Sequence, residues 1–247
     1  MKPIYKPSGK AAEYCEYALN IYTGCPHRCT YCFVPLMLKR NRETFHSVVE
    51  PRKNIVEATK RQLDNEQITG KLIHLSFCCD PYPNGFDTTP TREIIKAIKN
   101  SGNNVQILTK GQYAIRDLDL LDKNDWYGIT LTCDMPTNDE FEPNAANGFE
   151  RLKNLGYAEQ VGCKTWVSFE PVIEPDTIFG FIKYTEADLF RIGKLNYPKL
   201  DPKLKEIHDK TDWAAFGAEC ERLCKEHNRN YYIKDGLREL MAGKSRI

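Results

Sequence analysis

Three cysteines stand close together in "GCPHRCTYCFVP", residues 24–35. Three residues separate Cys25 from Cys29, and two separate Cys29 from Cys32. Thiolates are soft ligands that suit zinc or iron–sulfur clusters. A [4Fe–4S] cluster is most often held by four thiolates, so three leave one iron with an open position. Open coordination marks catalysis, because a structural site is normally closed. A tetrahedral zinc site in a structural or adaptor protein is the alternative. It needs a fourth ligand; His27 lies inside the loop, poorly placed to reach the same ion, and Cys15 fits no familiar finger spacing.

Such a loop must be carried by a framework, and the pattern around it alternates. Apolar residues end at Tyr22, just before the loop. Further strands are predicted over 71–77, 104–110, 126–133, 163–172 and 187–193. Helical patterns fall between them, over 48–63, 91–100, 113–121, 147–155 and 175–184. Thr89 is the plausible cap of the second of these helices, with Pro90 at its start. Alternating strands and helices imply parallel βαβ units with right-handed crossovers. Six units predict an α/β fold, a partial (β/α)6 barrel of parallel strands over residues 1–195. Residues 196–247 form a C-terminal extension packed on it, with a helix over 213–227, a short strand in "NYYIKD" and a last helix from Gly236. In a barrel, chemistry gathers at the C-terminal strand ends. Asp80, Lys110, Thr132, Ser168, Glu170 and Lys194 all fall there.

Composition narrows the setting. The 247 residues carry a net charge of +1, which provides no global field for nucleic acid. No export signal or membrane-length apolar run is visible, so a cytoplasmic location without membrane association is expected. Ten cysteines in such a chain point to metal or redox work rather than disulfides. Cys15, Cys133 and Cys163 read as small buried hydrophobes. Cys220, Cys224 and His227 lie at helical spacing and read as an apolar stripe rather than an auxiliary cluster. The basic run over 36–42 reads as a solvated face, or as a phosphate contact if the substrate is nucleic acid.

The Cys-x3-Cys-x2-Cys spacing, with Tyr31 before the third cysteine, resembles the radical S-adenosylmethionine superfamily. "CCDPYPNGFDTTPTREIIKAI", "VQILTKGQYAIRDLDLL", "WVSFEPVIEP" and "YYIKD" resemble its spore photoproduct lyase-related branch, over most of residues 18–240. The resemblance implies a [4Fe–4S] cluster on Cys25, Cys29 and Cys32, with S-adenosylmethionine on the open iron. Reductive cleavage would give a 5′-deoxyadenosyl radical that abstracts hydrogen from a substrate in a lyase-like or substrate-modifying reaction. It also implies an electron donor such as flavodoxin or ferredoxin. A nucleic-acid lesion or nucleotide is the implied substrate, with a small molecule or peptide as the alternative.

The same resemblance places Asp80 by the methionine ammonium, although "DPYPNG" also reads as a turn. It places Lys110 by a cofactor carboxylate or ribose, and Tyr31 on the adenosine side. Thr130 and Thr132 share one strand face, as do Ser168 and Glu170. Both pairs would face the cofactor, with Lys194 or a ribose as partner for Glu170. Cys78 or Cys79 is a candidate hydrogen donor, and only one of them can face inward. Six strands leave an open seam, which the C-terminal segment is expected to cover, with Lys234 or Tyr231/Tyr232 near the substrate side; the alternative is a tail packed on the outer helices.

Overall fold

Strand alternation sorts apolar from polar side chains onto opposite faces of one sheet. In the computed structural model, which describes residues 2–243, the strands are β1 (Ile4–Tyr5), β2 (Tyr17–Leu19), β3 (Leu72–Leu75), β4 (Asn104–Thr109), β5 (Trp126–Thr130), β6 (Lys164–Phe169), β7 (Leu189–Ile192) and β8 (Tyr231–Ile233). They lie in sequential order; β1 pairs antiparallel with β2, and every later pairing is parallel. The six expected strands are β2 to β7. β8 arises within the expected extension and continues the sheet, pairing Phe190 with Tyr231 and Ile192 with Ile233.

One face of the sheet carries Ile73, Leu75, Val105, Ile107, Ile129, Val167, Phe169, Phe190 and Ile192, all buried in the main core. Helix Thr89–Asn100 adds Ile94, Ile95 and Ile98 to it. Each such side chain contributes about 1.5–3 kcal/mol of burial. The other face is polar and aromatic. Register sets His74 beside Gln106, Gly128 beside Trp166, and Thr130, Ser168, Arg191 and Tyr232 in one row across β5 to β8. This is the barrel interior, and Tyr14 lies against it, with its ring 6.0 Å from His74 and 5.9 Å from Trp166.

Several boundaries differ from expectation. The first helix runs Ile55–Asn65, because Pro51 cannot continue a helix and disfavours helical backbone at Glu50 before it. Pro51 instead bridges Tyr22. Thr88, not Thr89, occupies the cap position of Thr89–Asn100. Residues Gln112–Leu120 form a 3-10 helix. Short helices Val34–Met37, Arg42–Ser47 and Thr137–Phe141, and helix Pro202–Lys210, were not anticipated. Within the extension, helix Trp213–Glu226 packs on helix Pro175–Tyr184 through stacked Phe216 and Phe179. Cys220 and Cys224 are buried there as core residues. Positions 244–247 of the extension lie outside the described residues.

The seam is crossed by an N-terminal segment as well as by the tail. After the 3-10 helix Gly9–Glu13, the main-chain carbonyls of Glu13 and Tyr14 accept from the Arg191 guanidinium. The Glu13 carboxylate accepts from the Asp235 N–H at 2.9 Å and the Tyr232 hydroxyl at 3.3 Å. The C-terminal segment therefore borders the seam through β8, but residues 9–14 span it.

Trp166 reaches across the interior and donates to the Ile107 carbonyl at 3.0 Å. Its indole lies over Gly128, where any β-carbon would overlap the ring. Gly128→Ala should therefore lower stability by about 1–3 kcal/mol through overpacking. Adding Trp166→Leu should recover part of the loss in urea unfolding. An unchanged midpoint for Gly128→Ala would refute this packing.

Candidate functional site

The cysteine loop leaves β2 and is held mainly through its backbone. Gly24 passes so close to the Phe45 and Val48 carbonyls that a side chain there would collide with both. Cys25 N–H donates to the Phe45 carbonyl at 3.2 Å, and Thr30 N–H to the Phe141 carbonyl at 2.9 Å. Asn41 caps helix Arg42–Ser47, accepting from Thr44 N–H at 3.0 Å. That fixes Arg42 at the first helical position, and its guanidinium donates to the carbonyls of Cys29, Thr30 and Cys32 at 2.5, 3.0 and 2.9 Å. Arg40 donates to the Thr23 carbonyl, and Arg28 pairs with Glu43. Three arginines in and just after the loop are thus committed to protein partners. Arg40 and Arg42 of the basic run thus clamp the loop, while Lys39 is exposed, a division its composition alone does not reveal.

The donor set fits a cluster. Burial pushes all three thiols upward, Cys29 to about 12; Cys25 feels the charge of Cys29 and Cys32, and Cys29 that of Cys32. The thiols are thus neighbours. Three neighbouring thiols on one short loop match the protein ligand set of a [4Fe–4S] cluster with one open iron. His27 is turned to Asp80, with Nδ1 3.6 Å from Oδ2, and burial holds it at about 4, so it is neutral at pH 7.

Asp80 joins two strand ends. Oδ1 accepts from Thr109 Oγ1 at 2.6 Å and from Tyr82 N–H at 2.8 Å, and Oδ2 accepts from Lys110 N–H at 2.8 Å. The turn reading of "DPYPNG" is therefore realised. Asp80 also lies near enough to Cys25 to raise that thiol. The Lys110 ammonium sits 5.8 Å from the Tyr31 ring centroid and, among the described residues, is in no ion pair. Burial opposes its charge, but Cys29 and Glu142 outweigh that and hold its pKa above the usual lysine value.

Tyr31 is buried, and its hydroxyl donates to Glu142. Glu142 also accepts from Thr132 Oγ1 at 2.9 Å, from Asn138 Nδ2 at 2.8 Å and from the Arg151 guanidinium. A capping box between Asn147 and Glu150 starts helix Gly148–Gln160 and so aims Arg151 inward, where it also donates to the Thr130 carbonyl at 2.8 Å. Burial alone would raise the Glu142 carboxyl; Arg151, Lys110 and Tyr31 outweigh it and hold it at about 2. Thr130 and Thr132 thus meet this network, through a carbonyl and a hydroxyl respectively. Glu142 and Arg151 escaped sequence reasoning, because an isolated Glu and a helical Arg carry no spacing signal.

Across the interior, Glu170 accepts from Tyr14 Oη at 2.8 Å, from Asn196 Nδ2 at 2.8 Å and from Lys234 Nζ. Ser168 Oγ lies 3.4 Å from Tyr14 Oη. The ion-pair partner of Glu170 is Lys234, not Lys194; β8 delivers Lys234 to that side of the sheet. Lys194 is half-buried, and burial and then the charge of Lys10 pull it below the usual lysine range. Tyr14 gave no motif, and only folding brings it to Glu170.

Cys78 and Cys79 lie in a bend beyond the end of β3, so the loop rather than strand alternation sets their environments. Cys79 is buried in the core, with its sulfur accepting from Tyr22 N–H at 3.4 Å. Cys78 is half-buried, and Cys32 contributes to raising its thiol. Of the two, Cys78 is the one that feels Cys32. Cys133 and Cys163 are buried as expected, whereas Cys15 is half-buried.

The Glu142–Arg151 pair yields a stability test. Arg151→Met leaves a buried carboxylate unpaired and should cost about 3–5 kcal/mol, more than a double change to apolar residues. The folded Glu142 carboxyl titrates at about 2 against an ordinary 4.5. Its contribution is therefore complete above about pH 4.5 and lost as pH falls toward 2. Urea midpoints across that window should fall more steeply for the parent than for the double variant; parallel curves would refute it.

Comparison with known proteins agrees with this geometry. The family model described as "Radical SAM superfamily" matches residues 19–189. An uncharacterized protein of Methanocaldococcus jannaschii is 31% identical over 168 residues, 66% of this chain and 62% of that protein. An uncharacterized protein of Acidianus two-tailed virus is 30% identical over 202 residues, 71% of this chain and 65% of its own. The chain thus spans less than two thirds of the length of these relatives. Among solved structures, spore photoproduct lyase complexed with a dinucleoside spore photoproduct is similar at a TM-score of 0.67 and 12% identity, covering 93% of this chain and 79% of that one. Streptococcus suis SuiB bound to the precursor peptide SuiA is similar at 0.66 and 17%, covering 92% and 51%. These two likenesses concern the fold. A three-cysteine loop at the end of β2, on a partial barrel matched by that family model, makes this chain a member of the radical S-adenosylmethionine superfamily, whose enzymes use a [4Fe–4S] cluster and S-adenosylmethionine and require a reductant.

Proposed function

We propose that this enzyme acts on a phosphate-bearing nucleic-acid substrate, a lesion or a nucleotide. S-adenosylmethionine at a reduced cluster supplies a hydrogen-abstracting radical; the chain supplies binding, orientation and exclusion of water. Cys25, Cys29 and Cys32 would hold the cluster. Lys110, charged and without an ion pair, would take the cofactor carboxylate, while Asp80 fixes the Lys110 backbone and faces the ammonium. Tyr31 and Thr132, tied to Glu142, with Thr130 beside them, would form one wall. Ser168 and Glu170 would form the other, with Glu170 oriented by Tyr14 and Lys234. Cys78 is the candidate hydrogen donor.

One observation carries the substrate class. Lys10 lies close enough to Lys194 for its charge to depress it, and among the described residues neither is in an ion pair with a carboxylate. Lys10 Nζ reaches only the side-chain oxygen of Asn196, which in turn holds Glu170. Two ammonium groups beside the β7 end, with Glu170 only partly offsetting the charge at Lys194, suit a phosphate. The bound dinucleoside of the similar lyase agrees with this reading, and the peptide bound to SuiB supplies the competing one.

Anaerobic reconstitution should load about four iron and four sulfide per chain, and Cys29→Ala should abolish loading; one zinc without iron would refute the cluster. Lys110→Ala should weaken S-adenosylmethionine binding by about tenfold or more with iron content unchanged. Unaltered affinity would remove Lys110 from the site. Oligonucleotide binding should fall with salt, and Lys10→Ala and Lys194→Ala should each reduce that slope by about one. Salt-independent binding, or binding of peptides alone, would overturn the substrate class.

A further inference from the structure

We propose that the exposed apolar turn following Cys32 is the docking surface for an acidic one-electron carrier protein. The proposal rests on the cluster reading above and adds the place where the electron enters. Helix Val34–Met37 begins two residues after Cys32, so this surface has the most direct covalent route to a cluster ligand. Leu36, Met37 and Leu38 are 62, 52 and 37% exposed in succession. Tyr197, itself exposed, stacks on Phe33 with centroids 4.9 Å apart and rings 14° from parallel, which extends the apolar area. Contiguous exposed apolar surface of this kind marks an interaction site.

Charge selects the occupant. With Arg28, Arg40 and Arg42 taken up by Glu43 and by loop carbonyls, the free charge beside the apolar turn is that of lysines. Lys39 directly follows Leu38 and Lys199 lies two residues after Tyr197; both are exposed, and among the described residues neither is in an ion pair. An apolar centre with a cationic rim fits a protein with an apolar contact and an acidic border. A nucleic acid fits less well, because Arg28, Arg40 and Arg42 are already committed to Glu43 and to loop carbonyls, and what remains at the centre is aliphatic. None of Leu36, Met37 and Lys39 belongs to the cofactor walls, and all three are exposed.

The test uses reconstituted holoenzyme and a purified acidic flavodoxin as probe. Leu36→Glu/Met37→Glu and, separately, Lys39→Glu should weaken flavodoxin binding, measured by calorimetry at low salt, by tenfold or more. They should slow flavodoxin-driven cluster reduction in stopped flow by a similar factor. Iron content, circular dichroism and reduction by dithionite should stay at parent values. Unchanged flavodoxin binding and reduction in both variants overturns the proposal. So does loss of oligonucleotide binding with reduction intact, which assigns the face to nucleic acid. A parent dimer that the variants convert to monomer assigns it to a second copy and also overturns the proposal. Failure to load iron in the parent refutes the cluster reading instead, and is read before any of these measurements.

Discussion

A carboxylate shut away from water must be neutralised where it stands, and Glu142 is where that constraint falls hardest. Arg151 supplies the charge, while Tyr31, Thr132 and Asn138 supply the remaining hydrogen bonds. Those donors come from the cysteine loop, the end of β5, and the two helices that follow it. One anion therefore fixes the loop against the sheet. Burying such a pair adds little net stability compared with apolar packing. What it contributes here is position: the loop has few apolar anchors, and its sulfurs are oriented through Tyr31 on one side and Arg42 on the other.

The sheet divides its labour by strand alternation. Its outer face is aliphatic and supplies stability; its inner face carries Thr130, Ser168, Arg191 and their neighbours and supplies function. That division made much of the fold legible. Period-two patterns in 104–110 and 163–172 located β4 and β6 and placed Ser168 and Glu170 on one face. The cysteine loop was legible from spacing alone, because cluster ligands must be close in sequence to wrap one loop around it.

What sequence could not convey is pairing across distance. Glu170 looked ready to meet Lys194, its near neighbour on the next strand end, yet it meets Lys234, 64 residues away. Tyr14 has no motif, and it reaches Glu170 only because residues 9–14 span the seam. Arg42 sits in a run whose composition suggests a solvated face; capping by Asn41 turns it onto three carbonyls instead. In each case a charged or phenolic group found its partner through backbone routing, which no local period records.

The seam contact also orders events during folding. Arg191 holds the carbonyls of Glu13 and Tyr14 across 178 residues of chain, and the Asp235 amide reaches Glu13 across 222. Closing such loops is entropically costly and slow compared with pairing adjacent strands. The Cys25–Cys32 loop needs partners only as far as Arg151, so a chain growing from the ribosome can shape it while β7 and β8 are still unmade. The wall around Glu170 must wait for Lys234. The contacts of the Cys25–Cys32 loop thus span far less chain than those around Glu170, which run from Tyr14 to Lys234.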